Sequence, residues 1–191
     1  MNLFPKWAEH LRLGECEIKG FDFMPHDEAA KYRECVEFIK NDPLSKGALV
    51  TTHKIDILLS CIDQFDYLDE HAKLMGEISC ISKDGKKLLG HAKDPTSSDL
   101  ALNRLLPENF WKENGGEVMC LGAGGAAIAI LHNLIRQKQN GKHPSKIFVT
   151  DISQPRLDSI KQIHRQFNTN IPIEFHHCPE PEINDDMTMN L

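Results

Sequence analysis

A chain of 191 residues has room for one ordinary domain or two small ones, and 40% hydrophobic with 26% charged side chains is the mix of a globular protein, not a disordered one. A formal net charge of −6 with no basic stripe argues against a nucleic-acid partner bound by counterion displacement. Six cysteines at positions 16, 35, 61, 80, 120 and 178, with no C-x-x-C pair, fit reduced thiols in a cytoplasmic protein better than a disulfide framework. No basic-then-apolar leader is read at the N-terminus, and the longest uncharged run, 118–135, contains three glycines and falls short of a membrane span. No membrane partner is expected.

In chain order, Trp7 to Leu13 is a short helical candidate stopped by Gly14. Glu15 to Phe23 alternates as a strand would, and Pro25 with His26, Asp27 and Glu28 opens a helix running to about Lys40, with Tyr32, Cys35, Val36 and Ile39 on one face. Gly47 to Thr52 reads as a buried strand followed at once by His53 and Lys54, so this opening is read as β-α-β, the start of a parallel sheet. Residues 55–75 are charged and aliphatic with helical spacing. Glu77 to Ser82 and Lys87 to His91 form two strands about the turn 83–86, and a polar loop, 93–98, leads into a helix from Asp99 to Leu106. Residues 107–116, ending in Asn114-Gly115-Gly116, are the expected boundary between two domains, 1–112 and 113–191.

The second domain opens on the most informative stretch of the chain. The apolar run Val118-Met119-Cys120-Leu121 passes straight into Gly122-Ala123-Gly124-Gly125-Ala126-Ala127, a G-x-G-x-x-A turn, and then into a helical apolar run, Ile128 to Ile135. The first glycine permits the tight bend, the second lets a pyrophosphate approach the backbone, and the third small residue packs helix on strand. The phosphates would sit on free N–H groups at the positive end of the helix dipole. Lys146 to Thr150 reads as the next strand and ends at Asp151, whose carboxylate can accept both ribose hydroxyls of NAD and would repel the extra phosphate of NADP. Ile171 to His176 is the third strand. The cofactor contacts are therefore assigned to Gly122, Ala123, Gly124, Gly125, Ala126 and Asp151, and the cofactor to NAD. The run His176-His177-Cys178 has metal-capable side chains, but neighbours on an extended chain point opposite ways, and no metal site is assigned.

The order of these pieces resembles the shikimate/quinate dehydrogenase family over roughly residues 47–176. The family's V-T-x-P-x-K segment, which carries its catalytic lysine, is similar to Val50-Thr51-Thr52-His53-Lys54, one residue shorter and without the proline. Its G-A-x-N-T segment is matched loosely by Gly76-Glu77-Ile78-Ser79-Cys80. Its G-x-N-T-D segment, ending in the catalytic aspartate, is matched by Gly90-His91-Ala92-Lys93-Asp94, and its G-A-G-G-A-A turn residue for residue by 122–127. The resemblance implies an α/β protein: a small α/β substrate domain followed by the first half of a Rossmann domain, a doubly wound parallel sheet. It also implies transfer of a hydride between a nicotinamide and a small hydroxylated, carboxylated substrate.

On that resemblance Lys54 is the general acid/base, its flexible arm reaching the reacting hydroxyl, and Asp94 is its partner and substrate anchor. Thr51 and Ser79 are assigned to the substrate. Ser79 stands where the family has an asparagine, and a hydroxyl lacks the two-donor head of a carboxamide, so the substrate is expected to differ from shikimate. Lys93 adds a positive charge that either favours an acidic substrate or faces water. Thr150-Asp151-Ile152-Ser153 replaces the family's arginine-bearing NADP segment, which again implies NAD. Relative to the family the chain reads as truncated at both ends, leaving a sheet edge that favours self-association. Two other readings stay open: a non-catalytic ligand-sensing module, and an inactive fragment of such an enzyme.

Overall fold

The structure is a computed structural model that describes residues 3–136, 143–167 and 169–180. Helix α1 spans Phe4–His10 and α2 spans Ala29–Asn41. The buried face of α2 carries Tyr32, Val36 and Ile39, the spacing expected of one helical stripe. The helix starts later than Pro25, because His26 takes a left-handed conformation (φ 56°) and Asp27 accepts the Glu28 N–H at 2.9 Å, fixing a turn ahead of Ala29. Residues 15–23, expected as a strand, form neither helix nor strand. Their alternation is satisfied differently: Phe21 and Phe23 dock on α2, with ring centroids 5.8 Å from Phe38 and 5.0 Å from Tyr32. An extended segment with every second side chain on a helix has the period of a strand without a strand partner.

The first sheet has the order β1-β3-β4-β2, built from β1 (Gly47–Leu49), β2 (Tyr67–Leu68), β3 (Cys80–Asp84) and β4 (Lys87–His91). β1 runs antiparallel to β3, with Leu49 opposite Cys80, so the expected parallel β-α-β opening is corrected. The β3–β4 hairpin turns at Gly85, as expected. The helical stretch 55–75 is divided into α3 (Lys54–Cys61), a 3-10 turn, β2 and α4 (Glu70–Met75). The break comes where Asp66 pairs with β4: its backbone N–H donates to Leu88 and its carboxylate accepts the Leu88 N–H, both at 2.9 Å. Helix α5 covers Asp94–Leu105, beginning five residues before the expected start. Pro95 lies in its first turn, where a missing N–H costs nothing, and Ser98 Oγ donates to the Asp94 carbonyl at 2.7 Å.

Beyond α6 (Phe110–Asn114), closed by left-handed Gly115, lies the second sheet. Strands β5 (Val118–Leu121), β6 (Ile147–Asp151) and β7 (Ile173–His177) are parallel in the order β5-β6-β7, with α7 (Gly125–Arg136) and α8 (Gln154–His164) as crossovers. All five residues of β6 are buried, as the central strand of a parallel sheet requires. One cluster of buried apolar side chains joins Ile57, Ile78 and Leu88 of the first part to Leu131, Val149 and Leu157 of the second. Asn133 of α7 donates to Ser98 Oγ at 2.9 Å and also to the Pro95 carbonyl, seating the start of α5 against α7.

Candidate active site

Lys54 and Asp94, 40 residues apart in sequence, are bonded to each other. Each is the first residue of its helix, α3 and α5, so the pair sits where two helix N-termini converge. Their side chains are 22% and 26% exposed, partly sheltered but still accessible to solvent. The Lys54 carbonyl accepts the Ile78 N–H at 3.2 Å, which ties the lysine to the segment entering β3.

Asp69, which sequence reasoning passed over, organises the approach to Asp94. Its Oδ1 accepts the N–H of Ala72 at 2.8 Å, capping α4, and that of Ala92 at 3.2 Å, while Oδ2 takes the Lys93 ammonium at 3.2 Å. Burial raises its carboxyl pKa, but these donors outweigh burial and leave it below the ordinary value. Lys93 therefore has a carboxylate partner within the chain. The signal was present as Asp69-x-x-Ala72 ahead of a helix, a capping arrangement. Ser79 is buried at 5% exposure, and its Oγ accepts the Lys93 N–H at 2.8 Å, so its first role is to hold the 91–93 loop. Thr51 is exposed just beyond β1, 3.5 Å from the Thr52 hydroxyl. His53 turns away to bond Tyr32 at 3.1 Å.

In the glycine turn, Gly122 has φ 104°, a left-handed value that side chains resist, and its N–H donates to Thr150 at 2.8 Å. A Cβ on Gly124 would meet nothing within 4 Å, so its Cα faces open space. A Cβ on Gly125 would instead stand 2.5 Å from Glu77 Oε2. Asp151, at the end of β6, is 6% exposed. Its Oδ2 accepts the Ala123 N–H at 2.7 Å and its Oδ1 the Ser153 N–H at 2.7 Å. The carboxylate thus clamps the turn to the end of the next strand; each oxygen keeps a second lone pair. His176 pairs with Glu174 at 3.3 Å, His177 with the Ile152 carbonyl at 3.0 Å, and Cys178 is buried, so the three metal-capable neighbours serve separate partners.

Glu77 is the second residue that sequence reasoning missed, although it stands where the family pattern quoted above has alanine. It is 3% exposed, and its Oε1 has no hydrogen-bond partner among the described residues. Burial pushes its carboxyl above the ordinary value, with Lys54 pulling down and Asp94 pushing up. The folded chain therefore keeps this proton to higher pH than the unfolded chain, and stability falls as pH rises from the unfolded value through the folded one. Glu77→Gln is expected to raise the melting free energy at pH 8 by about 1 kcal/mol. The gain should vanish below about pH 4, where both states are protonated. Melting curves at the two pH values check this; an equal effect at both would contradict it.

No protein-family model matches the chain. It is 27% identical over 146 residues to the shikimate dehydrogenase (NADP(+)) of Caldicellulosiruptor saccharolyticus, covering 76% of this chain and 48% of that one. With the Bacillus subtilis enzyme of the same name it shares 31% identity over 119 residues, 62% of this chain and 37% of that one. Over these stretches the chain is similar to shikimate dehydrogenases. It spans less than half the length of these two shikimate dehydrogenases. The fold agrees: shikimate 5-dehydrogenase from Listeria monocytogenes, in complex with shikimate and NAD, superimposes with a TM-score of 0.65 at 18% identity over 95% of this chain and 57% of that one. The architecture is accordingly the mixed α/β arrangement of shikimate dehydrogenase folds, its second sheet parallel and Rossmann-like. Among the described residues, no helix is long and apolar enough to cross a membrane.

Proposed function

We propose that the chain forms the substrate and acid/base unit (1–112) and the NAD-binding unit (113–191) of an oxidoreductase. The reaction moves a hydride between NAD and a small hydroxylated, carboxylated compound. The observation that carries the reading is the Lys54–Asp94 pair, assembled from distant sequence at two helix N-termini. Left-handed Gly122, the open face of Gly124 and the 12-residue helix α7 behind them suit a dinucleotide diphosphate at Gly122 to Ala126. A nicotinamide cofactor held by these residues would supply the hydride chemistry. The proton belongs to this chain. The Lys54 ammonium gives a proton to the substrate oxygen as a ketone is reduced and takes one back in the reverse direction. Asp94 accepts the Lys54 hydrogen bond, keeping Nζ aimed at that oxygen. Thr51, exposed beside the lysine in sequence, offers the substrate a hydroxyl, and Ser79 still has its own proton to donate.

NAD is favoured over NADP because Asp151-Ile152-Ser153 itself brings no cation for a 2′-phosphate, only a buried carboxylate and a 69% exposed apolar side chain. Association with a second copy remains part of the reading: among the described residues β5 is an edge strand of its sheet. The free cysteines suit the reducing cytoplasm. Ser79 in place of a carboxamide keeps a ligand-sensing module as the second reading. The test is NAD reduction by the purified chain with shikimate, quinate and smaller hydroxy acids. Turnover with one of them is expected; binding without turnover across the set would favour sensing.

A further inference from the structure

Glu77 reaches onto the helix end that carries the glycine turn. Glu77 is 3% exposed and its carboxyl stands against Gly125, close enough that any side chain there would strike Oε2. Gly125 is the first residue of α7, whose 12 residues leave first-turn N–H groups without intrahelical acceptors. Those groups and the positive end of the dipole are what an anionic diphosphate would bind. A second observation falls at the same place: Glu77 Oε1 is buried there with no hydrogen-bond partner among the described residues. A buried acceptor left open calls for a proton or a donor. An ionised carboxylate and a diphosphate would compete for one positive field in a poorly solvated site, where like charges repel strongly. A protonated carboxyl removes that repulsion and has an O–H to donate to a phosphate oxygen.

We propose that Glu77 gates the dinucleotide turn by its proton: the chain takes NAD with Glu77 protonated and rejects it with Glu77 ionised. This rests on the dinucleotide reading above and adds the group that tunes it. The charged groups acting on Glu77 are Lys54 from α3 and Asp94 from α5; they oppose each other and are themselves paired. The first turn of α7, Gly125-Ala126-Ala127, brings no charge. Burial already favours the protonated form. Above the Glu77 titration, each NAD bound takes up one proton from solvent, with no other bond made or broken.

The test is calorimetric titration of the 191-residue chain with NAD from about pH 5 to about pH 9, in two buffers of different ionisation enthalpy. Above the Glu77 titration the NAD Kd is expected to rise about tenfold per pH unit, with uptake approaching one proton per NAD. Glu77→Gln should bind with a Kd flat within about twofold and no proton uptake. A pH-independent wild-type Kd, or a Gln variant that keeps the wild-type slope, would overturn the gate and leave the cofactor reading standing. Absence of NAD binding at every pH would overturn both. If the Gln variant fails to melt cooperatively, the wild-type proton count decides alone.

Discussion

Lys54→Ala is expected to lower turnover by about 10²–10⁴-fold, the range supplied by a positioned general acid/base. Below the Glu77 titration NAD affinity should stay within about twofold, because the residue lies outside the glycine turn, and its side chain is 22% exposed, so its loss opens no core cavity. The separation of effects is the informative part. Lys54 begins α3 and its backbone carbonyl, unchanged by the substitution, still accepts Ile78. Stopped-flow turnover and NAD titration on the same preparation check it. A parallel loss of NAD binding would mean that the variant fails to fold, and unchanged turnover would remove Lys54 from the chemistry.

The second large effect is expected at Asp151. Its two oxygens each accept a backbone N–H at 2.7 Å, one from Ala123 in the turn and one from Ser153. Asp151→Ala strands both donors, the first in a buried setting, and should cost about 2–3 kcal/mol of stability. With the clamp gone the turn is free to move, and NAD affinity should fall by at least about tenfold, since a bound diphosphate needs its N–H donors fixed. Asp151→Asn, which keeps one acceptor oxygen, should lose less of both. Equal stability of the Ala variant and the parent would contradict the clamp.

How much of this was legible in the sequence divides along physical lines. The glycine turn, the hairpin at Gly85 and the parallel strands β5, β6 and β7 follow from local chemistry: glycine at positive φ, a two-strand alternation about a polar turn, and apolar runs bounded by polar loops. The Lys54–Asp94 pair was legible through its resemblance to a family, since nothing local in two surface-type charges reveals a contact across 40 residues. The segment 15–23 was misread because docking on α2 and pairing in a sheet demand the same alternation of side chains. The early start of α5 was hidden by Pro95, which looks like a breaker but is well tolerated in a first turn. Asp69 and Glu77 went unnoticed for opposite reasons. The first works through backbone donors that sequence does not mark, and the second is a carboxyl buried against the first residue of α7, which sequence places far away.

The central claim is that this chain binds NAD through Gly122 to Ala126 and Asp151, with Lys54 and Asp94 handling the proton. The measurement that tests it most directly is thermal unfolding at about pH 6, with NAD and with NADP in separate titrations. A ligand held only by the folded state adds about 2.7 kcal/mol at one hundred times its Kd. The account predicts a clear rise in Tm with NAD and little with NADP. Cooperative unfolding with no shift from either nucleotide, or a larger shift with NADP, would contradict it.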